Sequence, residues 1–144
     1  MKATISIIGW SVGQNKYKNT ENDIIPHFSW EQAREMYEYG VFDIQIHTYD
    51  LHNANEEEYS NRRGILQNKY EMSGSYYKEF TEDTLKNHYL IENNVGNKVV
   101  NFTYPMGEYS FLSEQFLAEL GYKVVFGKQK VQSSATILCI ALPG

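Results

Sequence analysis

DIQIHTYDLH, residues 43–52, is the stretch from which the rest of the sequence is best interpreted. Apolar residues alternate from Val41 to Ile46, which predicts a strand, and the polar residues of 47–55 predict a loop. His47 and His52 therefore follow the carboxyl end of a strand. Parallel α/β proteins place their functional sites at this end of the sheet, so the segment also indicates where a site would lie.

Three helices are predicted around this segment, each with a hydroxyl-bearing N-cap and a glycine at its end. Ser29 and Gln32 form a capping-box pattern, and Gly40 supplies a left-handed stop. Thr81 is the predicted N-cap of the second helix. The predicted helices are 30–39, 81–94 and the stretch from Ser110 to the glycine at 121.

Short β-branched or alternating runs between the helices predict the strands. Besides 41–46 they are 4–9, 99–103, 122–126 and 136–142. Strands that alternate with helices favour a parallel α/β sheet with right-handed crossovers, either open or curled toward a barrel. The length of 144 residues predicts a single domain over residues 1–144.

The composition excludes several classes of function. The formal net charge is −5, so no basic surface is available to release counterions from nucleic-acid phosphates. No apolar run is long enough for a transmembrane helix. The apolar run at the start of the sequence is too short and too β-like for a signal peptide. The single cysteine, Cys139, excludes an intrachain disulfide and fits a buried position in a strand. We therefore expect no nucleic-acid partner and no membrane span.

His47 and His52 are the candidate metal ligands. They are five residues apart, so they could converge on one ion only from an irregular segment such as a loop. Asp43 and Asp50 flank the pair, and either could orient an imidazole or simply cap the loop. Spacing alone leaves metal ligation and a structural or surface role both open. For the other two histidines we expect a structural or surface role.

A second candidate segment, FTYPMGEY (102–109), lies between a predicted strand and the third helix. Its backbone N–H groups could point into the same crevice at the end of the sheet. By itself the segment has the pattern of an ordinary Pro-Gly turn. The twelve tyrosines of the chain suit stacking on sugars as well as ordinary packing.

Five blocks together resemble the polysaccharide deacetylase family, the nodulation-factor deacetylase homology domain, in order and spacing. They are KATI (2–5), IPHFSWEQ (25–32), DIQIHTYDLH (43–52), NFTYPMGEY (101–109) and LGYKVVF (120–126). The resemblance spans nearly the whole chain, and the histidine motif is its most specific part. It implies an α/β fold that is an incomplete, deformed (β/α) barrel. Proteins of this family are usually extracellular or attached to the cell envelope.

The family removes acetyl groups from amino sugars or acetylated glycans, so the resemblance also implies a site. His47 and His52 would be two of three protein ligands to zinc or another divalent metal, with Asp50 in support. The backbone N–H of Met106 would hold the oxyanion. Contacts to an acetylated polysaccharide or oligosaccharide would come from Tyr104, Pro105 and Tyr109.

The resemblance further implies that part of the catalytic machinery is missing. The family's Thr-Phe-Asp-Asp-Gly motif, which supplies the third ligand and the base, comes just before the block that starts at Lys2, where this sequence begins. Thr103 and Met106 replace an arginine and an aromatic residue, and residues 137–144 lack the family's late histidine. We therefore expect weak metal binding and negligible turnover.

The main hypothesis is a deacetylase-like domain without activity, and two alternative hypotheses remain open. The chain could be a non-catalytic carbohydrate-binding or regulatory pseudoenzyme that keeps a tyrosine-rich crevice. It could also form a homo-oligomer in which a second copy covers a bare strand edge, because exposed edges invite pairing.

Overall fold

One five-stranded sheet with helices packed against it forms the fold. The computed structural model describes residues 3–53, 62–131 and 134–141. The strands are β1 (Ala3–Ile7), β2 (Phe42–Ile46), β3 (Asn101–Thr103), β4 (Val124–Val131) and β5 (Ser134–Ala141). The helices are α1 (Trp30–Glu38), α2 (Ser73–Val95) and α3 (Phe111–Glu119), with short 3-10 turns at Gly9–Ser11 and Pro105–Gly107.

The spatial order of the strands is β1-β2-β3-β4-β5, the same as their order in the chain. The first four strands are parallel and the sheet stays open, which confirms the predicted α/β class. The expectation that all strands are parallel is wrong for β5, which runs antiparallel to β4. The reason is the short connection between them, since a parallel pair needs a crossover of a dozen or more residues.

The predicted caps of α1 and α3 are confirmed. Ser29 Oγ accepts from Gln32 N at 3.2 Å while Gln32 Oε1 accepts from Ser29 N at 2.8 Å, and Gly40 has a left-handed φ of 88°. Ser110 caps α3 in the same reciprocal way. These ends are formed by neighbours in sequence, so local patterns suffice to predict them.

The predicted start of α2 at Thr81 is wrong, because the helix begins at Ser73. Thr81 lies inside the helix, and its Oγ1 donates to Tyr77 O at 2.7 Å instead of capping an N-terminus. The additional turns bury Tyr76 and Phe80, which are 1% and 0% exposed. Burial of these two rings outweighs the weak helix propensity of the polar residues around them.

The core lies between the sheet and the inner faces of the helices. Ile44 and Ile46 of β2, Phe102 of β3 and Val125 of β4 are fully buried. They pack with buried residues of the helices, among them Ala33, Phe80, Ile91 and Leu117. No helix in the described ranges is both long enough and apolar enough to cross a membrane.

Gln45, a fully buried polar residue of β2, joins β2 to the segment that leads into β3. Its Oε1 accepts from Val100 N at 2.9 Å and from Asn101 N at 2.8 Å, and its Nε2 donates to Lys98 O at 3.0 Å. The side chain thus continues the hydrogen-bond ladder on the N-terminal side of the pair Ile46–Phe102.

Replacing Gln45 with leucine should lower the free energy of unfolding by about 2–5 kcal/mol, because the N–H groups of Val100 and Asn101 lose their acceptor inside the sheet. Chemical denaturation at neutral pH measures the loss. The matched control is Gln115→Leu on the exposed side of α3, for which we expect a change within about 0.5 kcal/mol. Equal stabilities of the two variants would contradict the role assigned to Gln45.

Candidate active site at the ends of the parallel strands

Residues 47–52, which we call the histidine loop, bring the two candidate ligands together directly after β2. The ring centroids of His47 and His52 are 4.6 Å apart, with an angle of 60° between the ring planes. His47 Nδ1 lies 2.6 Å from Thr103 O, at the end of β3. Because a carbonyl oxygen only accepts, Nδ1 carries the proton and Nε2 keeps its lone pair in the neutral ring.

The sheet register explains why His47 meets Thr103. Ile46 of β2 pairs with Phe102 of β3, and both strands end within one residue of that pair. The next residue on β2 is therefore placed beside the next residue on β3. The predicted position of the candidate site, at the carboxyl ends of parallel strands, follows directly from this register.

The histidine loop has an unusual backbone conformation at its second residue. Thr48 has φ 69°, although a β-branched residue disfavours positive φ. Such a conformation costs on the order of 1–3 kcal/mol and persists only where surrounding contacts enforce it. Asn87 Nδ2 donates to Thr48 O at 2.6 Å, and Gly9 N donates to the same oxygen at 3.1 Å. The loop is thus held in one conformation by partners outside it.

Burial favours the neutral form of both imidazoles. Desolvation lowers the pKa of His47 from 6.5 to about 4, although its hydrogen bond to the Thr103 carbonyl opposes the shift and the nearby His52 adds to it. Burial also lowers the pKa of His52. At neutral pH both rings are therefore unprotonated at one nitrogen, the form in which histidine binds a metal.

The imidazoles of His47 and His52 supply part of the ligand set that a divalent transition metal needs. Neutral imidazoles suit zinc and similar ions, and the bond from His47 Nδ1 to Thr103 O is the kind of outer contact that orients a metal-binding histidine. Within residues 3–53, 62–131 and 134–141, however, no cluster of three or more His, Cys, Asp or Glu side chains is suited to hold a metal. His47 and His52 would therefore hold an ion together with other ligands.

The segment after β3 forms a tight turn near the same end of the sheet. Within Pro105–Gly107, Met106 has φ 54° and Gly107 has φ 72°. A right-handed residue followed by left-handed ones turns successive N–H groups toward one side, and such concave backbones bind anions. The geometry is compatible with the predicted role of the Met106 N–H, which stays a prediction.

Tyr104 and Tyr109 differ in how much of their surface is available. Tyr104 is 1% exposed and Pro105 is also buried, whereas Tyr109 is partly exposed. The two tyrosine rings stack with centroids 5.2 Å apart and an angle of 20° between their planes. Tyr109, supported from behind by Tyr104, is therefore the ring of this segment that a ligand can reach.

An open groove of about 770 Å³ runs past Tyr109 and Met106. Across it, Arg63 Nε and Nη2 donate to the two carboxylate oxygens of Glu108 at 2.8 and 2.9 Å. This two-point ion pair fixes the segment after residue 61 to the turn after β3. Neither residue was singled out from the sequence, because 45 positions separate them and no local pattern connects them.

A second cavity, the aromatic pocket, borders His52. It has a volume of about 250 Å³ and is lined by Trp10, Tyr17, Lys18, His27 and His52, among others. Trp10 and Tyr17 meet edge to face, with centroids 5.6 Å apart. Lys18 Nζ lies 5.3 Å from the Trp10 ring and forms an ion pair with Asp50 Oδ1 at 2.5 Å. The carboxylate of Asp50 thus pairs with Lys18, and the predicted support of a histidine by Asp50 stays a prediction.

Sequence reasoning missed Asp83 and Asn87 on α2, both of which contact the histidine loop. A signal was nevertheless present. Phe80, Thr84, Asn87 and Ile91 recur at helical spacing, so two polar residues occupy positions on the apolar face. A polar side chain at such a position is normally hydrogen-bonded to a specific partner, and here the partner of Asn87 is the loop.

Together, the fold and the site define an α/β domain with a histidine pair at the carboxyl ends of parallel strands. A sequence profile for polysaccharide deacetylases matches residues 1–125, so the chain belongs to the polysaccharide deacetylase family. A search of curated proteins found no match.

Solved structures with a similar fold include several deacetylases. IcaB from Ammonifex degensii has 26% sequence identity and a TM-score of 0.67, over 88% of this chain and 48% of that chain. The deacetylase domain of BpsB from Bordetella bronchiseptica has 19% identity and a TM-score of 0.73, over 93% and 58%. A de-N-acetylase from Aggregatibacter actinomycetemcomitans has 21% identity and a TM-score of 0.70, over 88% and 53%. The chain therefore spans about half the length of these structures, and its open sheet corresponds to part of their fold.

The lowered pKa of His47 predicts a pH dependence of stability in metal-free protein. Between pH 6.5 and about 4 the unfolded chain binds a proton that folded His47 does not, so the contribution to stability is complete above pH 6.5 and is lost as the pH falls to about 4. The loss should be on the order of 1–3 kcal/mol. Denaturant unfolding across this range, with His47→Gln as the test and His27→Gln as the control, measures it. Relative to wild type, His47→Gln should lose less stability as the pH falls from 6.5 to about 4, and a pH dependence identical to that of wild type would contradict the prediction.

Proposed function

We propose that this chain is the histidine-bearing part of a metal-dependent carbohydrate deacetylase. The reaction would be hydrolysis of acetyl groups on amino sugars or acetylated cell-envelope glycans. The observation that carries the proposal is the pair of neutral imidazoles, with His47 Nδ1 fixed by Thr103 O and Nε2 left available. Family membership and the deacetylases among the solved structures support the reaction class.

His47 and His52 would hold zinc or a similar divalent ion. A bound divalent ion supplies Lewis-acid polarisation of the acetyl carbonyl and activates water for attack. The chain's own task is to keep both rings neutral, through burial, and to orient the His47 ring through the Thr103 carbonyl. Since the described residues hold no cluster of three or more ligand side chains, other ligands must complete the site, and we propose that residues 1–144 bind the ion weakly.

The backbone N–H of Met106 would stabilise the negative charge that develops on the acetyl oxygen. A donor that is already in place needs no rearrangement during the reaction, which is why oxyanion sites are commonly built from backbone groups. The left-handed conformations of Met106 and Gly107 support this role. Since the donor is a backbone group, it tolerates methionine at a position where the family usually has an aromatic residue.

The glycan would lie along the groove beside Tyr109 and extend toward the aromatic pocket. Sugar rings present apolar faces that pack on aromatic side chains, and their hydroxyl groups need polar partners nearby. Tyr109 supplies a partly exposed ring in the groove, and Trp10 and Tyr17 supply rings in the aromatic pocket, which His52 also lines. Asn53 and Lys18 add polar groups in the pocket.

Zinc titration of the full chain by calorimetry tests the metal-binding half of the proposal. We expect measurable but weak binding, and a reduction of about 10-fold or more in His47→Ala and in His52→Ala, because each removes half of the protein's donors. His27→Ala, which removes a histidine from the pocket rim, and His88→Ala, which removes one paired with Glu92, should bind like wild type. Wild-type affinity in both of the first two variants would refute the assignment.

Acetate release from an acetylated chitooligosaccharide tests the chemistry. We expect negligible turnover by residues 1–144 alone, because a reaction of this type also needs a positioned general base. Release of acetate at a rate that His47→Ala abolishes would contradict this expectation and establish an active enzyme. The pseudoenzyme alternative predicts glycan-induced NMR shifts around Tyr104 and Tyr109 in the absence of turnover, and no shifts would exclude it.

A further inference from the structure

Helix α2 carries two polar side chains, one turn apart, that contact the histidine loop. Asp83 Oδ1 accepts from Tyr49 N at 2.7 Å, and Asp83 Oδ2 accepts from Asp50 N at 2.7 Å. Asn87 Nδ2 donates to Thr48 O at 2.6 Å. Two side chains therefore hold three consecutive residues of the backbone between the two histidines.

The contacts of Asn87 also fix the loop relative to β1. Its Nδ2 donates to Ile7 O at 2.9 Å as well as to Thr48 O, so one buried amide bridges the ends of two neighbouring strands. The close approach requires Gly9, since a Cβ at that position would lie 2.5 Å from Asn87 Oδ1. Thr48 has a positive φ, so the hydrogen bond from Asn87 is made at the strained residue of the loop.

We propose that Asp83 and Asn87 are positioning residues that hold the two imidazoles of the histidine loop at the spacing needed to bind one divalent cation. The inference deepens the proposed function and rests on it for the identity of the ligand. Neither side chain touches a histidine ring in the described contacts; each acts through the peptide groups of Thr48, Tyr49 and Asp50.

The charge of Asp83 suits this role at neutral pH. Burial raises its pKa to about 6, while the two N–H donors of the loop oppose the shift and nearby Asp50 and Glu79 add to it. Above that pH the carboxylate is ionised, so each oxygen can accept one N–H. An asparagine at position 83 keeps the size of the side chain but directs an NH₂ group at one of the two donors, which breaks one hydrogen bond.

The experiment compares full-length Asp83→Asn and Asn87→Leu with wild type at neutral pH, after circular dichroism has established that each is folded. The matched control is Glu82→Gln, which removes one negative charge from an exposed side chain of the same helix; Glu82 and Asp83 both line a surface pocket beside Asp50. Three quantities are measured: zinc affinity by calorimetry, the nuclear Overhauser contact between the His47 and His52 rings, and hydrogen exchange of the Tyr49 and Asp50 amides.

We expect zinc affinity to fall about 10- to 100-fold in Asp83→Asn, as for other outer contacts of metal ligands. Exchange of the two amides should accelerate and the contact between the rings should weaken, with Asn87→Leu showing the same ring effect and Glu82→Gln none. Folded variants with wild-type affinity and wild-type ring contact would overturn the proposal. If wild type itself binds no zinc, the proposed function fails, and the ring contact and amide exchange still decide whether Asp83 and Asn87 position the loop.

Discussion

The alignment of β2 with β3 is the constraint on which the site depends. Gln45, buried in β2, accepts hydrogen bonds from Val100 N, just before β3, and from Asn101 N, at its first residue, and so aligns the two strands. Ile46 then pairs with Phe102, and the following residues, His47 and Thr103, come within 2.6 Å of each other. A shift of one residue would turn the apolar side chains of β2 away from the core, so packing and site geometry enforce the same register.

Buried amide side chains form hydrogen bonds with backbone groups of the strands and of the histidine loop, in addition to the hydrogen bonds of the sheet ladder. Asn87 joins the carbonyl of Ile7, at the end of β1, to that of Thr48, just after β2, and Asn97 donates to Ile44 O within β2. An amide offers both donors and an acceptor on a short, neutral side chain, so it can satisfy backbone groups without the cost of burying a charge. The histidine loop thereby gains a fixed conformation although it belongs to no helix or strand.

Burial acts in opposite directions on the two kinds of titratable group at this end of the sheet. It lowers the pKa of His47 and raises that of Asp83, because it disfavours the charged form of each. The imidazole is thereby kept neutral, as a metal ligand must be, while the two loop N–H groups favour an ionised carboxylate at neutral pH. The same end of the sheet thus holds a neutral imidazole, His47, and an ionised carboxylate, Asp83.

Local sequence patterns were sufficient to predict the elements formed by near neighbours, such as the cap of α1 at Ser29 and the strand that ends before His47. It also carried the order of motifs that identifies the family. The extension of β4 and β5 to Val131 and Ser134, the early start of α2 and the contact of Asp83 with the histidine loop became evident only in the folded chain. Caps and alternation depend on residues a few positions apart, whereas Asp83 meets a backbone group 34 positions away. Such a contact exists only once the core has set the distance between helix and sheet.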